Sequence, residues 1–128
     1  MNARDAALIE IDAKHLPGLK PRSLRRSNLP GTLSDRNRGL ARQIELGVVQ
    51  HLLHLLWILE FVSGRPLKRI DPAVAKVCLV GLYQIRFMDG IPASAAVDEA
   101  VNQARRFRLA SAAGFVNAVL RKAALAQV

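Results

Sequence analysis

The apolar positions of this chain recur with a helical period wherever a period can be read. Between Asp71 and Lys122 three such stretches follow one another with two short breaks. In the first, Val74, Val77, Cys78, Gly81, Leu82 and Ile85 fall at i, i+3, i+4, i+7, i+8 and i+11, one face of a helix. Asp71 before Pro72 reads as an N-cap with proline at the first helical position. Asp89-Gly90 stops this helix, and Pro92 delays the next. Ser94 is the cap candidate of the second helix, whose stripe is Val97, Ala100, Val101 and Ala104. It closes on Arg105, Arg106 and Arg108, cations at the carbonyl end, where the helix dipole favours them. The third, from about Ser111, shows Phe115, Val116, Val119, Leu120 and Ala123. Short links make such helices antiparallel neighbours, so this half alone can form a three-helix bundle.

Upstream the pattern is looser. Residues 2–14 predict a helix capped by Asn2, apolar along Ala3, Ala6, Ala7, Leu8 and Ile11 and polar at Arg4, Asp5, Glu10, Asp12 and Lys14. Residues 16–33 hold three prolines and two glycines and read as a loop, with room for a short helix near 22–28. Ser34 caps a longer stripe, Leu40, Ile44, Gly47, Val48, His51, Leu52, Leu55 and Leu59, which runs to about Val62. Gly47 in mid-pattern predicts a kink or a two-helix break near 47–51. The expectation is therefore all-α, with helices near 2–14, 34–50, 51–63, 71–88, 94–107 and 112–124 and no sheet. The core is expected at Leu8, Ile44, Leu52, Leu55, Leu59, Val77, Leu82, Val101, Phe115, Val119 and Leu120. Trp57 is expected to anchor one half against the other. Tyr83 is expected to bury its ring and hydrogen-bond its hydroxyl. Asn117 lies off its stripe, either as an RNA-facing amide or as a hydrogen bond pinning a neighbouring loop or helix end.

Length and composition narrow this. The 128 residues read as one domain, 1–128. With 51% apolar residues but 5% aromatic, the core has to be built from Leu, Val, Ile and Ala. The net charge of +9 points to a polyanionic partner, nucleic acid first and an anionic membrane surface second. The single cysteine, Cys78, allows no intrachain disulfide and sits on an apolar stripe as a small hydrophobe. The N-terminus has no apolar signal-peptide core. The run Leu46–Val62 carries Gln50, His51, His54 and Glu60 and falls short of the roughly 18 apolar residues of a membrane span. The chain thus reads as cytoplasmic and not membrane-bound.

Catalytic and cofactor motifs are missing: no GxGxxG, P-loop, CxxC, HExxH or GxSxG. His51 and His54 can share a helix face but lack a third ligand, so neither a metal nor a cofactor is expected. Asp98 and Glu99 are adjacent and point about 100° apart, so they cannot converge on one substrate. What remains is cationic. The clusters are Arg4 with Lys14; Lys20, Arg22, Arg25 and Arg26; Arg36, Arg38 and Arg42; and Arg105 to Arg108. Arg65, Lys68 and Arg69 add three charges in the link before Asp71. Phosphate contacts need several cations on one surface. The reading is a surface made of the 20–26 loop with Arg36, Arg38 and Arg42, joined by Arg4 if the first helix packs alongside. The alternative is that these arginines merely solvate separate faces. Sparse exposed aromatics argue for electrostatic binding rather than base stacking.

Three segments carry a family resemblance: RPLKRIDP, VGLYQIRFMDGIPASAAVDEAV and AAGFVNAVLRK. They resemble the NusB-like domain that opens the bacterial ribosomal RNA cytosine-C5 methyltransferases of the RsmB (Sun or Fmu) family. G-L-Y-Q, I-P-x-x-A-A-V and A-A-G-F-V-N-A-V-L-R are similar to that branch; the antitermination factor NusB shares the fold. The match covers residues 34 to 124 well and 2 to 14 weakly. It implies about seven helices in two packed three-helix units. It also implies RNA binding, ribosomal RNA above all, with Arg4 in the position of the basic N-terminal helix of NusB. A methyltransferase domain or a ribosomal protein is the implied partner. The catalytic cysteines of those enzymes lie in an S-adenosylmethionine-binding domain that these residues do not match, so no enzyme activity is expected of this chain. Gly47-Val48-Val49-Gln50 and Leu55-Leu56 depart from the family's usual G-T-L-R and L-D, which leaves room for a freestanding relative. Other readings are a NusB-type antitermination factor and a structural or protein-interaction bundle.

Overall fold

The computed structural model describes residues 2–15 and 34–126. The helices are α1 (Ala3–Glu10), α2 (Asp35–Gln50), α3 (Leu52–Ser63), α4 (Pro72–Phe87), α5 (Ala93–Arg106) and α6 (Ala113–Leu125). A π-helical turn, Ile11–His15, continues α1, and 3₁₀ turns at Leu67–Arg69 and Ala110–Ala112 lead into α4 and α6. No strand occurs among the described residues, so the fold is all-α, a helical bundle. The helix considered near 22–28 lies outside the described residues.

Local chemistry sets most of the ends. Asn2 Oδ1 accepts from the Asp5 N–H at 2.8 Å, Ser34 Oγ from the Asn37 N–H at 3.2 Å, and Asp71 Oδ1 from the Ala73 N–H at 2.8 Å. Each satisfies a donor that a helix start leaves open. Ser94 makes no such bond: α5 begins one residue earlier, at Ala93, behind Pro92, whose fixed φ suits a helix entry. Gly64, at φ 67, ends α3 in the left-handed conformation that glycine adopts without strain. Arg108 takes the same conformation, φ 62, at the end of α5. There the Leu109 N–H reaches the Ala104 carbonyl at 2.7 Å and the Arg108 N–H the Arg105 carbonyl at 3.3 Å, the paired bonds of a Schellman ending.

Helix α4 is the hub. It packs against α1, α2, α3, α5 and α6, and every residue from Ala73 to Gln84 is buried. The stripe Val74–Ile85 is thus only part of what it hides, and a helix enclosed on all sides must be apolar nearly all round. α4, α5 and α6 form one three-helix unit, while α1, α2 and α3 cover the other flanks of α4. Gly81 lets α6 come close, since a Cβ there would lie 2.6 Å from a Leu120 methyl. α1 lies along α2, with Ala3 and Ala6 against Leu40 and Ala41.

Of the expected core, Leu8, Ile44, Leu55, Leu59, Val77, Leu82, Val119 and Leu120 are buried. Leu52, Val101 and Phe115 are only partly buried, packed on the rim of that core. The chain bends by 79° between α2 and α3 at His51, within the break expected near 47–51. Gly47 instead admits a neighbour: a Cβ on it would stand 2.1 Å from the ring of Tyr83. Tyr83 is buried as expected, but its hydroxyl has no hydrogen bond to another described residue.

Candidate nucleic-acid interface

α2 carries three of the expected contact residues. Arg36, Arg38 and Arg42 all have exposed side chains. Arg38 and Arg42, four apart, lie on one face, whereas Arg36 is rotated well away from them by the helical period. An ion pair joins Arg38 to Asp35 at 3.7 Å, between side chains 64% and 101% exposed. A contact that long and that wet is weak and leaves the guanidinium available. Lys20, Arg22, Arg25 and Arg26 lie outside the described residues.

Arg4 is half-buried. Its Nε donates to Gln84 Oε1 at 2.7 Å, and Gln84, itself buried, donates to the Val80 carbonyl at 3.0 Å. This ties α1 to α4 and engages one edge of the guanidinium. Lys14, on the turn beyond, pairs with Glu10 at 2.7 Å.

The cations at the end of α5 divide in role. Arg106 reaches across to Asp5, donating from Nε at 2.8 Å and from Nη2 at 3.0 Å, while Gln103 Nε2 donates to the same carboxylate at 3.0 Å. Asp5 had read as a surface residue of α1, but it is buried. The three donors replace the water this carboxylate gives up on burial, which would otherwise cost several kcal/mol. The hydrogen bond to Asp5 is also the main reason the Arg106 pKa rises; partial burial opposes it. Asp12, another polar position of the first helical pattern, pairs with Lys76, a fully buried side chain of α4. Arg106 is therefore a fastener between α1 and α5, whereas Arg105 and Arg108 remain exposed. Asn117 Oδ1 accepts from Arg121 Nε at 3.2 Å, one turn along the same helix.

Trp57 does not join the two halves. It is 52% exposed on α3, between Leu53 and Phe61 at i−4 and i+4, and both of these face solvent too. The error has a geometric cause: Leu55, Ile58, Leu59 and Val62 already fill the buried face of α3, leaving Trp57 on the other. Its ring stacks on Phe61 at 5.3 Å and on His54 at 6.4 Å, and His51 stacks on Phe87 at 4.0 Å. Exposed aromatics are thus less sparse than composition suggested, but these rings spend their faces largely on one another. His51 and His54 are part of this aromatic run, and no group of three metal-ligating side chains occurs among the described residues. Burial pushes the Cys78 thiol up to about 12, so it stays protonated and unreactive at neutral pH.

A helical bundle wrapped round one buried helix, with arginines displayed on a flanking helix, defines a small basic all-α domain. The NusB family model matches residues 1–125, and the chain belongs to the NusB family. Among curated relatives it is 41% identical over 86 residues to the ribosomal RNA small subunit methyltransferase B of Vibrio cholerae, covering 67% of this chain and 20% of that protein. It is 37% identical over 100 residues to that of Pseudomonas putida, covering 76% and 23%. To the probable ribosomal RNA small subunit methyltransferase B of Bacillus subtilis it is 36% identical over 89 residues, covering 70% and 20%. The matches thus span only about a fifth of each of these relatives.

Proposed function

We infer that this chain is a non-catalytic RNA-binding module. It serves as the N-terminal RNA-recognition domain of a ribosomal RNA cytosine-C5 methyltransferase or as a freestanding relative of one. The observation that carries this is Arg38 and Arg42 side by side on one exposed face of α2, with Arg36 exposed on another, in a domain of net charge +9. Membership of the NusB family and the names of the relatives supply the RNA, and those names favour the methyltransferase branch over antitermination. Ribosomal RNA is the preferred ligand, with a methyltransferase domain or a ribosomal protein as the protein partner, and the setting is cytoplasmic. Lys20, Arg22, Arg25 and Arg26, shortly before α2 in the sequence, are the further cations of this proposal. Arg4 adds the N–H groups that Gln84 leaves unused. On this reading the chain works without a catalytic group, cofactor or metal of its own.

Binding through phosphates releases counterions, so affinity falls steeply with salt. Fluorescence anisotropy with labelled single-stranded ribosomal RNA fragments, repeated across a salt series, tests this. Changing Arg38 and Arg42 together to glutamate should abolish binding while far-UV circular dichroism stays unchanged. Undiminished binding by that folded double variant would show that RNA does not use α2.

A further inference from the structure

The link between α3 and α4 contributes to a second basic feature, on the opposite end of α3 from α2. Arg65, Arg69, Ile70, Asp71, Val74, Ser111, Ala112 and Phe115 line a cleft of about 390 Å³. The Arg65 guanidinium lies over the Phe115 ring, 4.9 Å from its centroid. Phe115, partly buried where it packs on the rim of the core, thus also carries a cation over its ring.

The link is tied down. Ser63 Oγ accepts from the Arg65 N–H at 3.2 Å, and Glu60 Oε2 accepts from the Leu67 N–H at 3.0 Å. The Arg69 N–H bonds the Pro66 carbonyl at 2.9 Å. A guanidinium stacked on an aromatic ring keeps its N–H edge free for an anion and loses little further freedom on binding. Two arginines against the single carboxylate of Asp71 leave the cleft with one net positive charge. That balance suits one phosphodiester better than a free, doubly charged phosphate. Asp71 uses Oδ1 on the Ala73 N–H at 2.8 Å, so its second oxygen can accept from a hydroxyl.

We propose that the Arg65–Arg69 cleft binds one ribonucleotide unit of an RNA strand. Arg65, held on Phe115, and Arg69 grip the phosphate, and Asp71 accepts from the ribose 2′-hydroxyl. This rests on the RNA-binding reading above and places a second, separate contact on the same domain. A 2′-hydroxyl contact is also what distinguishes RNA from DNA at a protein site.

The test is the affinity of the full chain for a labelled single-stranded RNA and for the DNA of the same sequence, by anisotropy across a salt series. The variant Arg65→Ala with Arg69→Ala should bind the RNA about tenfold more weakly. Its salt slope should be shallower by about 0.7, the value of one phosphate on a single strand. Arg69→Ala alone leaves the contact on Phe115 intact and should show part of the same loss, should the double variant melt early. Asp71→Ser keeps a capping oxygen for α4 and should narrow the preference for RNA over DNA. If wild type binds RNA and the folded Arg69→Ala and double variants match it in affinity and slope, the cleft is not a subsite, while the α2 reading stands. An unchanged RNA-to-DNA ratio in Asp71→Ser overturns the ribose contact. A wild-type chain with no salt-dependent RNA binding overturns both readings together.

Discussion

Gly47 offers the sharpest test of how α2, and with it the arginine surface, is seated on α4. An alanine Cβ at this position would stand 2.1, 2.2 and 2.4 Å from the Cζ, Cε1 and hydroxyl oxygen of Tyr83. Comfortable carbon contacts lie near 3.5 Å, so the ring would have to move by about 1.4 Å. It has little room to do so, being buried and stacked 5.6 Å from Phe87 and 6.4 Å from His51. Overpacking of this kind costs about 1–3 kcal/mol, against about 1 kcal/mol gained by replacing glycine inside a helix. Gly39, on the same helix, supplies the control: a Cβ there meets nothing within 4 Å, so Gly39→Ala should gain about 0.5–1 kcal/mol. The gap between the two variants therefore isolates the clash, about 2 kcal/mol, or about 1 M in urea midpoint for a domain of this size. Urea unfolding followed by far-UV circular dichroism measures it. In a Tyr83→Leu background the penalty of Gly47→Ala should shrink, and the double-mutant cycle gives the coupling. Equal gains from Gly39→Ala and Gly47→Ala would refute the packing described here.

Two other outcomes follow from single residues. Arg108 holds a left-handed conformation that costs a residue with a Cβ about 1 kcal/mol, so Arg108→Gly should raise the thermal midpoint by about 4 °C, read by circular dichroism; a lower midpoint would mean the arginine side chain contributes more than its backbone strain removes. Cys78 has a folded pKa raised from 9.0 to about 12 by burial, so its contribution is intact below pH 9 and is lost as pH rises toward 12, because the unfolded chain ionises first. Wild type should therefore lose about 1.4 kcal/mol relative to Cys78→Ala between pH 7 and pH 10, measured by urea unfolding, and a constant difference would contradict the burial.

What the sequence discloses and what it conceals divide along the range of the interactions. The caps at Asn2, Ser34 and Asp71 are local, made within three residues, and they are legible as such. Helical periods are equally local, which is why the helix bounds fall within a residue or so of expectation except at α1, where the last residues form a π-helical turn. Asp5 and Arg106 are 101 residues apart, and Asp12 and Lys76 are 64 apart. Nothing in their neighbourhoods announces the partner, so both acids read as surface. The same blindness hides Tyr83 from Gly47, which therefore reads as a helix break, and Phe115 from Arg65. For α4 the period marks its most apolar stripe but cannot say that five other helices close round it. Arg38 and Arg42 are legible as one face because four residues of helix fix their alignment; Arg36 belongs to another face by the same geometry.

The exposed strip on α3 has a consequence for how this domain can be observed. Trp57 is the only tryptophan in the chain, and in the native state its indole already touches water. Unfolding therefore changes the exposure of that indole less than it would that of a buried one, and intrinsic emission will understate the transition that circular dichroism records. The reverse holds for anything that settles on α3. It would dry the indole and shift its emission to the blue without altering the fold. The chain thus carries a built-in optical reporter that is muted about its own stability and responsive to contact on one chosen face.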